Sequence, residues 1–153
     1  MSIPTGLECV LQINTGTQAS PVWATLDLIV DLDNSKQADK QEAACRRGGA
    51  FKQYGIGQID VECSFNLLHD HSDATWEVIQ AAFWTRSVVH VRILDGLFAT
   101  SGTEGFEMTA YIFGNDESQP LQSNVEDSLT LAPSSNGKAA GDNPIKPTRV
   151  SVT

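Results

Sequence analysis

The alternation of residues 59–67 limits the fold more tightly than any other feature of the chain. Ile59, Val61, Cys63, Phe65 and Leu67 are apolar, and Asp60, Glu62, Ser64 and Asn66 lie between them. A period of two sustained over such a run fits a half-buried strand and no helix. The rhythm recurs. Residues 7–13 set Leu7, Cys9, Leu11 and Ile13 against Glu8 and Gln12, and residues 26–32 set Leu26, Leu28, Val30 and Leu32 against Asp27 and Asp31. Further on, Val89, Val91 and Ile93 face a core while His90 and Arg92 face away, and Asp95-Gly96 marks a tight turn. Phe106, Met108, Ala110 and Ile112 share one side of the next segment, with Tyr111 and Phe113 on the other. A strand with two apolar sides belongs at a covered edge or a subunit contact. Val125, Leu129 and Leu131 oppose Glu126, Ser128 and Thr130 in the last clear strand. The expected fold is mainly β: an antiparallel sandwich or barrel-forming sheet.

One helix interrupts the strands. Ser72 or Asp73 caps its start, Trp76, Ile79 and Phe83 recur at helical spacing with Ala82 beside them, and Arg86 falls in its last turn. Such a helix flanks the apolar side of a sheet. Residues 36–57 show neither period and hold four glycines, so they read as one irregular connection, far longer than usual within a domain. The chain divides into a β domain over residues 1–132, carrying this long loop, and an extension over 133–153 whose VSVT ending is strand-prone.

Charge is segregated. Within the long loop, Lys36, Lys40, Arg46, Arg47 and Lys52 outweigh Asp39 and Glu42, whereas the whole chain carries a net −9. The strand-like stretches place Glu8, Asp27, Asp31, Asp60, Glu62, Glu107 and Glu126 opposite apolar positions, with almost no Lys or Arg among them. Solvated sheet faces usually mix both signs. A one-signed face repels polyanions, and the overall acidity argues against gripping nucleic acid through phosphates. No apolar run approaches membrane-spanning length, and the N-terminus has no basic, cleavable leader pattern. Three cysteines at no ligand spacing fit synthesis in a reducing cytoplasm, with Cys9 and Cys63 on apolar strand faces.

Chemical motifs are weak. Asp31, Asp33, Ser35, Asp39 and Glu42 occupy calcium-loop positions, but Lys36 stands where the loop needs glycine and a strand pattern precedes it. His69 and His71 with Asp70 and Asp73 form a transition-metal set, or else a solvated turn with a capping group. Gly55-x-Gly57 lacks the rest of a phosphate loop, a single Arg-Arg-Gly-Gly does not make an RNA-binding segment, and no nucleophile motif surrounds the three histidines. The sequence points to no enzyme, no cofactor and no metal.

The order of features resembles the tail tube (major tail) proteins of tailed bacteriophages, of the long non-contractile type. The resemblance rests on NTGTQASPVW (14–23), RRGGAFKQYGIG leading into IDVECSFNLL, the helix DATWEVIQAAF, VVHVRILDG, and GTEGFEMTAYIFGNDESQPLQSNVEDSLTL. It covers most of residues 5–132. It implies a β-sandwich with one flanking helix, assembled as hexameric rings that stack into a tube within the virion tail after synthesis in the bacterial host. The long loop would reach the adjacent ring, with Arg46, Arg47, Phe51, Lys52 and Tyr54 as anchors. Acids would line the lumen, Asp60 and Glu62 foremost, with Asp27, Asp31 and Glu126. Genomic DNA would pass without specific binding, and the partners would be a tail-tip initiator, a tape measure and a terminator. Two rivals remain: the tube of a contractile or secretion-type injection apparatus, and a monomeric β-sandwich binding module using Trp23, Trp84 and residues 31–42.

Overall fold

The computed structural model describes residues 9–43, 49, 51–96, 101–151 and 153. Its strands are β1 (Val10–Asn14), β2 (Trp23–Thr25), β3 (Ile29–Glu42), β4 (Tyr54–Leu68), β5 (Val89–Leu94), β6 (Glu104–Ser118), β7 (Glu126–Pro133) and β8 (Thr148–Ser151), with one helix, α1 (Ala74–Trp84). The strands make one antiparallel sheet in the order β2-β1-β5-β6-β7-β4-β3. Strand β8 pairs with β6 at Glu104–Glu107, where β5 holds the other edge, so β7 and β8 lie end to end along one side of β6. The mainly β expectation with a single helix describes this architecture.

One side of the sheet carries the core. Leu11, Ile13, Val61, Cys63, Phe65, Leu67, Val89, Val91, Ile93, Phe106, Met108, Ala110, Leu129 and Leu131 are buried together, and Trp76 and Ile79 of α1 cover them. Helix α1 starts where Asp73 accepts a hydrogen bond from the Thr75 amide at 3.0 Å. It ends in a Schellman motif: the Ser87 amide bonds the Ala82 carbonyl, the Arg86 amide bonds that of Phe83, and Arg86 takes the left-handed conformation at φ 57°. Arg86 is therefore beyond the last turn, where a helix stop is usually glycine. Burial and the charge of Asp33 push the Cys63 thiol up to about 12, in keeping with an inert core residue.

Three bulges reset the alternation. Between Ile29↔Leu67 and Leu32↔Phe65, β3 advances one residue more than β4, so Ile29 and Leu32 both turn toward the core and Val30, expected inside, is half exposed. Between Ala38↔Ile59 and Lys40↔Ile56 the extra residue is in β4 at the Gly57 step, where an added Cβ would sit 2.9 Å from that of Asp39. Between Ile112↔Leu131 and Gly114↔Thr130 it is in β6, which ejects Phe113.

Other expectations change with the tertiary context. Residues 36–57 are not one irregular connection, because 36–42 and 54–57 extend the β3–β4 hairpin. Their backbones pair with each other while both sides meet solvent, so no hydrophobic period marks them. The β5–β6 connection is longer than a tight turn at Asp95-Gly96, since pairing resumes at Leu94↔Gly105. Cys9 is exposed.

His90 and Arg92 do not face solvent: β5 is buried on both sides. The loop between β7 and β8 folds over them, held by Lys138 Nζ to the carbonyls of Asn14 and Gly16 and by Gln18 Nε2 to that of Asn143 at 2.6 Å. The Thr109 amide and hydroxyl both bond Ile145. Under this cover His90 Nδ1 meets Asn14 at 3.1 Å, its Nε2 lies 3.5 Å from Glu107, and Arg92 stacks 4.2 Å over the Trp23 ring.

Candidate functional site

Residues directly opposite each other in an antiparallel ladder project to the same side. Asp33 faces Ser64, Ser35 faces Glu62 and Gln37 faces Asp60. Ser64 in turn faces Thr130, Asn66 faces Ser128 and Leu68 faces Glu126, while Asp116 faces Ser128 and Ser118 faces Glu126. Asp31 joins them, sharing a shallow groove with Asp33, Ser64, Asn66, Ser128 and Thr130. The side of the sheet away from the core therefore carries, over β3, β4, β7 and the end of β6, six carboxylates among small hydroxyl and amide groups: Asp31, Asp33, Asp60, Glu62, Asp116 and Glu126. Among the described residues of these strands no Lys or Arg joins that patch.

The cations stand on the opposite side. Lys36 faces Val61, with its ammonium 4.6 Å over the Phe106 ring, and Lys40 faces Ile56, with its ammonium 4.7 Å over Tyr54. The hairpin beyond the core thus has an acidic side and a basic, apolar side. Ile56 is 80% exposed and Ile59 70%, and Phe51 and Tyr54 are exposed nearby. Lys52 pairs at 3.6 Å with Glu42 on the arm. Seven residues of extended β3, Lys36–Glu42, give the arm a reach of about 20 Å.

Of the residues singled out from sequence, the structure brings Asp31, Asp60, Glu62 and Glu126 onto one patch. Asp27 lies exposed in the turn between β2 and β3, where it lines a groove with Asp31, Asp33 and Asn66. Phe51, Lys52 and Tyr54 lie at the arm, whereas Arg46 and Arg47 are outside the described residues. Register adds Asp33 and Asp116. The calcium-type positions are strung along β3, and eleven extended steps from Asp31 to Glu42 span roughly 35 Å, so they cannot wrap one ion. Trp23 is spent under Arg92. Trp84 is 76% exposed and joins Phe83, Arg86, Tyr111, Ile112 and Phe113 around a recess of about 430 Å³. That exposed aromatic patch matches the expectation of a second apolar side on β6.

A curled antiparallel sheet with one helix on its core side is the fold this chain shares with solved tail tubes. The SPP1 tail tube, solved by solid-state NMR and cryo-EM, superposes with a TM-score of 0.71 over 97% of this chain and 80% of that one, at 13% identity. The tail of an empty gene transfer agent particle, refined with C6 symmetry, gives 0.70 over 86% and 95% at 14% identity. The tube of an extracellular contractile injection system, in an extended sheath-tube complex, gives 0.64 over 98% and 93% at 8% identity. No family model matches the sequence, and no curated protein matches it.

Proposed function

We propose that the chain is the structural subunit of a phage tail tube, built from stacked hexameric rings through which DNA leaves the particle. The observation that carries this reading is the acidic patch of Asp31, Asp33, Asp60, Glu62, Asp116 and Glu126 on a sheet side that, among the described residues, no core or helix covers, within a fold shared with solved tail tubes. A conduit for a polyanion needs such a wall, because cations would hold phosphates in place. The C6 symmetry of the gene transfer agent tail supports rings of six.

The hairpin arm is the contact to the next ring. Its exposed Ile56 and Ile59 are costly to leave in water and gain by burial against another subunit. Arg46 and Arg47 add charge to that contact, and the Trp84–Phe113 recess is the second subunit surface. Tail-tip initiator, tape measure and terminator proteins are the further partners. A tube within a contractile apparatus is the second reading, favoured by the similarity to the injection-system tube.

Negative-stain electron microscopy across a concentration series tests the proposal. Hollow tubes or stacked rings with sixfold end views are the expected result. A monomer at every concentration, with or without a tail-tip complex added as seed, overturns it.

A further inference from the structure

Away from the acidic patch, at the opposite side of the sheet, two carboxylates are forced together. Glu117 and Asp127 are directly opposed on β6 and β7, and Asp127 is 1% exposed. Like charges in directly opposed positions repel, so this pair requires a positive partner. Lys or Arg does not supply it among the described ion pairs. The side chain that points between them is His69, at the end of β4. Its Nδ1 lies 3.7 Å from Glu117 Oε2 and 3.6 Å from Asp127 Oδ2, and the three donor atoms lie within 4.8 Å of one another.

These separations exceed a hydrogen bond, and His69 Nδ1 is buried with no hydrogen-bond partner. Metal bonds of about 2.0–2.2 Å place neighbouring ligand atoms roughly 3–3.6 Å apart; the two distances from His69 Nδ1 lie at the upper end of that spacing, and small side-chain rotations would close the set around an ion. The far nitrogen is also engaged. His69 Nε2 lies 3.1 Å from His71 Nε2, and the Trp76 ring stands 4.3 Å from the His69 ring. If His69 donates its Nε2 proton to His71, the Nδ1 lone pair is aimed at the two carboxylates, an arrangement relieved by a bound cation or by protonation of the ring. Orientation of a ligand imidazole through its second nitrogen is usual at metal centres. Asp127 Oδ2 also accepts from Trp76 Nε1 at 2.8 Å and Gln80 Nε2 at 3.4 Å, which fixes the carboxylate in place.

We propose that His69, Glu117 and Asp127 bind one divalent transition cation of the zinc or manganese class, with His71 positioning His69. One nitrogen and two carboxylate oxygens leave room for water, suiting a borderline cation. The set differs from the one the sequence motif offers. Asp70 turns to accept from the Ser72 amide and hydroxyl, and Asp73 caps α1, so the carboxylates come from across the sheet instead. The ion ties the entry of α1 to the ends of β6 and β7.

The test is calorimetric titration of ZnCl2 and MnCl2 into chelator-treated full-length chain, with elemental analysis for stoichiometry and thermal unfolding as a second readout. One ion per chain and a raised Tm are expected. Glu117→Gln, at an exposed position that the fold tolerates, abolishes saturable binding. His71→Ala keeps the stoichiometry with affinity about 10- to 100-fold weaker, and Asp70→Asn changes nothing. Absence of saturable binding by the wild-type chain overturns the proposal, as an imidazolium bridging the carboxylates would give. So does binding that survives Glu117→Gln and falls with Asp70→Asn, which would place the ion on the surface His-x-His turn.

Discussion

The indole Nε1 of Trp76 donates a 2.8 Å hydrogen bond to Oδ2 of Asp127, joining α1 to β7 across 51 positions of sequence. Both partners are buried, so neither can fall back on water. Trp76→Phe keeps most of the ring's packing but strips a donor from a buried carboxylate, at a cost of about 1–3 kcal/mol. Asp127→Asn keeps an acceptor for the indole and costs less. Urea unfolding of both single variants and the double variant should show coupling, because the residues touch. Strict additivity would mean that the indole bonds the carboxylate no more strongly than the amide.

The arm makes a prediction with two separable readouts. Ile56 and Ile59 are exposed in the single chain, so Ile56→Lys with Ile59→Lys should leave the free energy of unfolding within about 0.5 kcal/mol of wild type. Tube formation should be lost, since buried lysines at a ring contact have no partner. Tubes of normal length from this variant, seen by electron microscopy, would remove the arm from the assembly contact.

Sequence alone makes the bulge-free parts of this fold legible. Val61, Cys63, Phe65 and Leu67 are buried as their alternation requires, and Asp73 caps the helix it precedes. A bulge defeats the same reading, because one extra residue inverts the sides beyond it: Val30 is exposed, and Asp116 falls on the side away from the core, for that reason. The burial of His90 and Arg92 depends on Lys138 and its loop, which no local pattern announces. Asp127 sits in phase with Leu129 and Leu131, so parity marked it as inward-facing while its charge disguised it. In the candidate site, single acids were legible but their grouping was not. Asp33 and Asp116 join the patch through strand register.

Burial of His90 has a consequence for pH. Desolvation holds its imidazole below the ordinary histidine range; Lys138 and Arg92 push the same way, and Glu107 opposes them. The unfolded chain binds this proton near pH 6.5, and the folded chain only at lower pH. Between those two values the unfolded state carries more protons, so the stabilisation is complete above about pH 6.5 and declines as the pH falls below it. Thermal unfolding from pH 7.5 to 4.5 should therefore drop less steeply for His90→Asn than for wild type. Parallel curves would show that His90 is not the group responsible.

The acidic patch makes the sharpest prediction, because position and function are tested together. Asp60 and Glu62 project from β4 on the side that the core does not use, both exposed. Asp60→Lys with Glu62→Lys leaves the core face untouched and turns two anions into two cations per subunit. If that side lines the lumen, wild-type tubes ignore short duplex DNA, while variant tubes retain it with an affinity that falls steeply as salt rises. The retained DNA should also resist nuclease, since a wall around it excludes the enzyme. Retention without protection would place the patch on the outside of the tube. Tubes of the variant that assemble and still ignore DNA would mean that the charge on this side does not govern passage.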